Sequence, residues 1–138
     1  MVTVNDELIE SIKKHGFALP VNDVREPYST KTPVYPMITV NEFSNRPVIQ
    51  IHGEEKLSSI SLRFEIYCRD LSHDGKVYTK RQVCSILSRE LDEFLRKTYG
   101  FKRVGDPVTL PFGNDGTICR YGITYTGLID NKTMIIYQ

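Results

Sequence analysis

The residues best suited to chemistry are three cysteines and three histidines in a chain of 138 residues. The cysteines are Cys68, Cys84 and Cys119, which have no C-x-x-C spacing, and no histidine has a cysteine or a second histidine three or four residues away. His73, between Asp70 and Asp74, belongs to the one cluster that suggests a metal site. That cluster lacks a second neutral ligand and the spacing of a known metal loop. We interpret it as a solvated acidic loop and expect no metal.

No motif of a nucleophile or of a phosphate-binding loop is present. Cys84 lies near a predicted helix start, where a helix N-terminus lowers a thiol pKa, but free cysteine is usually buried and we favour a packing role. The glycines of Gly113–Gly116 do not match the phosphate-loop pattern, and no helix follows them. G-x-S-x-G and H-E-x-x-H are also absent. The sequence therefore predicts no catalytic residue, no cofactor and no enzyme activity.

Charge and composition bear on the class of protein. Lys and Arg number 18 and Asp and Glu 17, so the net charge of +1 argues against a mainly electrostatic nucleic-acid binder. An odd number of cysteines is typical of a reduced, cytoplasm-like compartment. The chain starts without a basic and apolar leader, and no apolar run approaches the roughly 20 residues that span a bilayer. We expect one domain, residues 1–138, without a membrane segment.

One strand and one helix must position any site. From Ser59 to Cys68 apolar and polar residues alternate strictly, which is typical of a strand with one buried face. A helix from about Lys80 to Thr98 carries an apolar stripe at three- and four-residue spacing. Thr79 and Gln82 predict a capping box at its start, and Gly100 predicts a left-handed stop at its end.

The remaining elements complete an α+β fold: a mostly antiparallel sheet, one long amphipathic helix on one face, and a short N-terminal helix. Asn5 is predicted to cap that short helix, Asp6–His15. Ser44–Lys56 is interpreted as a polar loop with one candidate short strand, Val48–His52. Gly122 and Gly127 predict bends or bulges in a late strand. The predicted strands are Met37–Phe43, Ser59–Cys68, Phe101–Val104, Val108–Phe112, Thr117–Asp130 and Thr133–Tyr137, with turns at Asp74-Gly75 and Gly113–Gly116.

A Pro-rich segment at about 20–36 separates the short helix from the first strand. Proline removes a backbone donor and disfavours helix before it, so we expect an extended chain here. A connection of this length is often functional. Two interpretations stay open: a loop that lies on its own domain, or an arm that reaches a neighbouring subunit.

Segments from about Tyr35 onward, which together cover most of the chain, carry a resemblance through their order and spacing. They are Y-P-M-I-T-V-N-E-F (35–43), L-R-F-E-I-Y-C-R-D (62–70), L-D-E-F-L (91–95), G-F-K-R (100–103), L-P (110–111), R-Y-G-I-T-Y-T-G-L-I-D (120–130) and I-I-Y (135–137). In this order they resemble the small neck proteins of siphophages and of prophages in Gram-positive bacteria. Those proteins are described as tail terminator, tail completion or head–tail joining proteins.

The resemblance implies an α+β subunit of a hexameric ring. Such a ring caps the tail tube, stops its polymerisation and docks on the head connector, while DNA passes through without specific binding. It is assembled in the cytoplasm of the host bacterium and resides in the virion. The family has no catalytic residues to carry over. Alternatives are another head–tail connector component such as a stopper, a non-enzymatic bacterial binding module, and an enzyme with an unrecognised site.

The expected contacts of such a ring lie on strand faces and loops. Tyr67 faces outward by parity, beside Arg63 and Glu65, and tyrosine and arginine are enriched at interfaces. An ordinary half-exposed strand tyrosine is the alternative. The candidate assembly interface comprises Phe43, Arg46, Arg63, Tyr67, Asp74, Lys76, Asn114 and Asp115.

Overall fold

A computed structural model describes residues 4–51, 54–110, 116–130 and 136–137, with side chains at 4–42, 59–110 and 116–128. The described helices are α1 (Val4–Lys14) and α2 (Lys80–Tyr99). The described strands are β1 (Asp23–Arg25), β2 (Met37–Ile51), β3 (Glu54–Cys68), β4 (Leu71–His73), β5 (Lys76–Tyr78), β6 (Lys102–Arg103), β7 (Val108–Leu110), β8 (Cys119–Asp130) and β9 (Ile136–Tyr137). The α+β class predicted from the sequence is confirmed.

One sheet has the order β1-β2-β3-β8, and β7, β6 and β9 each pair with a different part of the outer edge of β8. The pairing of β1 with β2 is parallel, and every other described pairing in this sheet is antiparallel. Strands β4 and β5 form a separate hairpin. Three short strands thus cover an edge that would otherwise offer a long row of unpaired backbone groups.

Both helices pack on the same face of the sheet. Val4, Leu8 and Ile12 of α1 join the apolar residues of α2 in one core with the alternating apolar residues of β2 and β3. The predicted core face of β3 is buried throughout: Ile60, Leu62, Phe64, Ile66 and Cys68. The predicted helix stripe is also confirmed, with Val83, Leu87, Leu91 and Leu95 buried and Ile86 and Phe94 packed partly against the core.

The predicted ends of α2 are confirmed as well. Thr79 accepts a hydrogen bond from the backbone of Gln82, whose side chain accepts one from the backbone of Thr79. Asp70 Oδ1 adds a third contact by accepting from Lys80 N at 2.7 Å. Gly100 ends the helix with φ 67°, in the left-handed region where glycine is least strained. These caps satisfy backbone groups that a helix end leaves without partners.

The prediction of a polar loop at Ser44–Lys56 is wrong. β2 continues to Ile51 and β3 begins at Glu54, and the two strands pair from Ser44 with Ser61 to Ile51 with Glu54. Three register shifts interrupt the pairing. They lie between Glu42 and Ser44, between Pro47 and Ile49, and between Ile49 and Gln50. Bulges accommodate a proline and an irregular polar pattern, so cross-strand pairing here overrides weak local preference. The candidate strand Val48–His52 is part of β2 as far as Ile51.

The start of α1 and the role of two glycines also differ from expectation. The helix begins at Val4, so Asn5 is not its cap, and Asn5 Nδ2 instead donates to Val40 O at 3.4 Å. The pairing of β3 with β8 runs without a shift from Leu57–Asp130 to Cys68–Cys119, so neither Gly122 nor Gly127 marks a bulge in it. Both glycines instead leave room for side chains: Phe101 lies against Gly127, and Leu110 and Arg63 lie over Gly122.

The Pro-rich segment at about 20–36 lies against its own sheet. It contains β1, which pairs with Met37–Thr39 of β2. The Arg25 guanidinium donates to the carbonyl oxygens of Lys31 at 2.6 Å and Thr32 at 3.2 Å, and it is paired with Asp23. These contacts favour the interpretation as a loop on its own domain. Tyr28 and Val34 within it are exposed.

Other predicted strands are shorter or shifted. Phe101–Val104 is reduced to β6, and Thr117–Asp130 begins at Cys119. Val108–Phe112 is present as β7 up to Leu110, and its last two residues lie outside the described part. Thr133–Tyr137 overlaps β9, and its first three residues lie outside the described part, as does most of the turn Gly113–Gly116. The turn at Asp74-Gly75 is confirmed between β4 and β5, with φ 50° and 75°. Two consecutive positive φ values are the backbone of a two-residue hairpin turn of type I′.

Candidate assembly surface on the open face of the sheet

The face of the sheet turned away from the helices carries the most distinctive side-chain cluster of the described part. Odd-numbered residues of β3 and even-numbered residues of β8 point to it, because their alternate neighbours are buried in the core. We call it the open face and define it by Arg63, Glu65, Tyr67, Arg120, Gly122 and Thr124. No described helix packs on this face, since α1 and α2 both bury their apolar residues on the other side.

A carboxylate lies at the centre of the open face. Arg120, opposite Tyr67 in the register, donates from Nη2 to Glu65 Oε1 at 2.5 Å and from Nε to Glu65 Oε2 at 3.1 Å. The Tyr67 hydroxyl donates to Glu65 Oε2 at 3.0 Å. The Arg120 guanidinium also lies 5.5 Å from the centre of the Tyr67 ring. We call Arg63, Glu65, Tyr67 and Arg120 the Glu65 cluster.

Burial and charge act against each other within the cluster. Burial alone raises the pKa of the Glu65 carboxyl, but hydrogen bonds from Arg120 and Tyr67 and the charges of Arg120 and Arg63 outweigh it and hold the pKa below its ordinary value. Burial, together with the nearby Glu65 charge, raises the pKa of Tyr67 to about 12. Glu65 is therefore ionised and Tyr67 neutral at physiological pH, and the cluster with its two arginines carries a net charge of +1.

Arg63 is the cluster's second cation and is less well satisfied than Arg120. Its Nε lies 3.5 Å from Glu65 Oε1 but makes no hydrogen bond, and this atom is buried without a hydrogen-bond partner among the described residues. Its side chain is still 41% exposed. The guanidinium lies flat over Gly122, where a Cβ would come within 3.0 Å of Nη2. The absence of a side chain at Gly122 therefore allows Arg63 to lie across the face.

Exposed apolar side chains flank the cluster toward the β8 edge. Val108 is opposite Gly122, and Val104 N donates to Thr124 O at 2.8 Å. Because directly opposite residues share a face of the sheet, both valines lie on the open face. Leu128 has the same parity on β8. All three are exposed, Val104 and Val108 by more than half. A charged centre with an apolar border of this kind is typical of a surface that contacts another protein.

The structure separates the predicted interface residues into groups. Arg63 and Tyr67 lie together in the Glu65 cluster, whereas Asp74 and Lys76 lie at the tip of the β4–β5 hairpin. The backbone of Phe43 falls at the first register shift of β2, and that of Arg46 lies opposite Ser59. The side chains of Phe43 and Arg46 lie outside the described part, as do Asn114 and Asp115 altogether.

Sequence reasoning missed Arg120 as a functional candidate. Its parity on β8 is visible in the sequence, because Cys119, Tyr121 and Ile123 alternate with it. The pairing of Arg120 with Glu65 depends on the register of β8 against β3, which the two strand patterns do not specify on their own. A charged residue on the polar side of a strand, between a buried and a partly buried neighbour, is therefore a weak signal without the register.

The three cysteines converge, although they looked scattered in the sequence. Cys68 and Cys119 are direct partners on β3 and β8, and Cys84 of α2 donates to Cys119 O at 3.4 Å and Ile66 O at 3.7 Å. Contact with Cys68 and burial raise the pKa of the Cys84 thiol well above its ordinary value, and burial raises the pKa of Cys119 to about 11. Cys84 is thus a protonated packing residue rather than an activated nucleophile.

The described residues include no group of three or more His, Cys, Asp or Glu placed to hold a metal ion. His73 Nε2 lies 3.4 Å from Asp74, and Asp70 is engaged with the start of α2. No described helix is both long and apolar enough to cross a membrane. No protein-family model and no curated protein matches the chain.

Proposed function

We propose that this chain is a structural subunit of the neck of a siphophage or prophage, most specifically a tail terminator. Six copies form a ring at the end of the tail tube. The ring stops tube polymerisation and gives the surface on which the head connector docks. The proposal assigns no catalytic residue and no cofactor, and its partners are further copies of the chain, the tail tube protein and the head–tail connector proteins.

The position of the resembling segments in the fold supports this proposal. Three of them fall on the adjacent strands β2, β3 and β8, and L-D-E-F-L falls on α2, which packs on β3 and β8. The resemblance therefore covers one contiguous unit, the centre of the sheet and the helix that covers it, instead of unconnected surface pieces.

The open face is the observation that carries the proposal. A sheet with helices on one side and a partly desolvated charged cluster with exposed valines on the other has a face suited to burial against another chain. Rings form when one patch of a subunit contacts a different patch of the next, so that the rotation closes. A subunit that has such a face, and whose described residues form no active-site constellation, is best explained as an assembly component.

Charge is compatible with a neck ring. DNA must pass through the centre without being held, so a strongly basic subunit would be a disadvantage there. The net charge of +1 over 138 residues meets this condition. The virion is accordingly the proposed location, after assembly in the host cytoplasm.

Control of tube growth tests the proposed function directly. The purified protein is added to polymerising tail tube protein from the same phage genome, and tube lengths are measured by electron microscopy. We expect growth to stop and extra density to appear at one end of each tube, because a terminator occupies the growing end. Tubes that grow to the same lengths and bind no protein would contradict the terminator assignment.

The same assay distinguishes a tail terminator from the nearest alternative, a head–tail stopper. A stopper component binds the head connector and leaves tube growth unchanged. Pull-down of the purified head connector protein, run beside the tube assay, therefore decides between these two positions in the neck. Binding to neither, by a protein that stays monomeric, favours the binding-module interpretation.

A further inference from the structure

We propose that in the ring the β4–β5 hairpin of one subunit docks on the open face of the next, with Asp74 paired to Arg63. This inference rests on the proposed ring and names the two surfaces that join its subunits. It follows from an incompletely satisfied cation on one part of the chain and a rigidly presented acid on another.

The cationic, hydrogen-bond-donating side of the contact is Arg63. Glu65 is the only acid of the Glu65 cluster, and Arg120 and Tyr67 already donate to its oxygens, so its charge is shared between two arginines. Arg63 Nε is buried without a hydrogen-bond partner in the described part, while 41% of the side chain remains exposed. A buried donor without a partner is costly. A carboxylate from outside the subunit would neutralise the extra charge and bind the exposed part of the guanidinium.

The anionic, hydrogen-bond-accepting side is the tip of the hairpin. Asp74 occupies the turn with φ 50°, next to Gly75 with φ 75°, and its side chain is 91% exposed. On the next strand, Val77 is also largely exposed, at 72%. An exposed acid beside an exposed apolar side chain is typical of a surface that another protein covers.

The two surfaces are complementary in more than charge. The hairpin offers a carboxylate with a valine near it, and the open face offers an arginine with Val104 and Val108 near it. Apolar contact around a paired charge excludes water, which strengthens the ion pair. A neighbouring copy therefore fits both the charge and the apolar border of the open face.

The contact lies between subunits because the hairpin packs on the other side of its own sheet. It touches the core through α2, with Leu71 and Tyr78 packed partly against it. Arg63 lies on the opposite face, where its ion-pair partner is Glu65, and Asp74 has His73 beside it at 3.4 Å. Because hairpin and open face are different patches, the contact is heterologous and allows a ring to close.

A charge swap tests this contact. Arg63→Glu and Asp74→Lys, singly and combined, are compared with the wild-type protein by sedimentation velocity, alone and with tail tubes. We expect each single change to weaken subunit association by about tenfold or more, because it places like charges together at the contact. The combined variant restores most of the association, since it re-forms the pair with reversed signs.

Glu10→Lys is the matched control, because it makes the same change of charge away from both proposed surfaces. Glu10 is an acid of α1 with a side chain 63% exposed, and Lys13 Nζ lies 3.7 Å from it. We expect normal association for this variant. Circular dichroism and thermal unfolding check each fold, and the milder variants Arg63→Gln and Asp74→Asn replace any charge reversal that does not fold. These neutral variants should weaken association less than the reversals.

The outcomes distinguish this contact from the ring itself. If both single variants form rings as well as the wild-type protein, or if the combined variant does not recover association, the proposed contact is wrong while the proposed ring is unaffected. A wild-type protein that stays monomeric even with tail tubes overturns both the contact and the proposed function.

Discussion

At the scale of single residues, the Glu65 carboxylate does most to order the open face. It accepts hydrogen bonds from Arg120 and Tyr67, and it is the counter-ion of two arginines. Its side chain is 13% exposed, so solvent screens these interactions less than those of a surface pair. Removing its charge would take away the acid that the Arg63 and Arg120 guanidinium groups both contact.

Replacing Glu65 tests this account through its pH dependence. We expect Glu65→Gln to lower the free energy of unfolding by about 1–3 kcal/mol at pH 7, the range for hydrogen bonds to a charged group. Because the pKa of Glu65 is lower in the folded protein than the ordinary value of a glutamate, its contribution is fully present above that ordinary value and is lost as pH falls through the folded pKa. Urea unfolding at pH 7, 5 and 3 measures it.

Glu93→Gln is the control for that experiment. Glu93 forms an exposed pair with Lys97 one helical turn away, and such pairs contribute little. Its unfolding curve should match the wild-type curve at each pH. A difference between Glu65→Gln and wild type that is as large at pH 3 as at pH 7 would show that Glu65 acts through packing and not through its charge.

The residue pattern predicted which side chains share the open face but not which of them touch. Parity placed Arg63 and Tyr67 on the polar side of the strand, and the structure confirms this. The ion pair of Glu65 with Arg120 joins residues 55 positions apart, and only the register of β8 against β3 brings them together. As contacts of an assembly, all eight candidate interface residues stay predictions: Phe43, Arg46, Arg63, Tyr67, Asp74, Lys76, Asn114 and Asp115.

At the scale of elements, the helices and strands with a long, regular hydrophobic period were the ones that the sequence predicted. β3 and α2 have long uninterrupted periods, and their core faces and caps were predicted residue by residue. Ser44–Lys56 has no clear period of two, because bulges and Pro47 break it, and pairing with a partner strand supplies the order that local sequence does not. Short strands such as β6 likewise owe their extended structure to pairing with β8.

Gly127, interpreted from the sequence as a bend, is explained by the packing of Phe101 against β8. Phe101, which follows α2 and is 2% exposed, lies so close to Gly127 that a Cβ there would fall far inside van der Waals contact with the ring. The Phe101 ring also stacks on Tyr99, with centroids 5.2 Å apart. Phe101 therefore joins the end of α2 to β8 only while position 127 has no side chain.

We expect Gly127→Ala to lower the free energy of unfolding by about 1–3 kcal/mol, as overpacking of a core does, because the Phe101 ring must move. Gly16→Ala is the matched control, since a Cβ at Gly16 meets nothing within 4 Å. Thermal unfolding of the two variants beside the wild-type protein measures the effect. Equal stability of Gly127→Ala and wild type would mean that Phe101 moves aside without cost.

At the scale of the whole molecule, the architecture places all described helices on one side of the sheet. The α+β class follows from the sequence because alternating and helical periods are both strong in the chain. The use of the remaining face does not follow from periodicity, since a polar strand face looks the same whether it meets water or another subunit. Only the distribution of charge, burial and exposed valines on the folded face favours assembly.

The central claim is that this chain assembles as a ring through its open face. The most direct test is the mass of the purified protein in solution across a concentration series, with and without tail tubes, together with negative-stain images of the same samples. The account predicts particles of six times 15.9 kDa, about 95 kDa, with six-fold symmetry and an open channel. A monomer at every concentration, also in the presence of tail tubes, would contradict it.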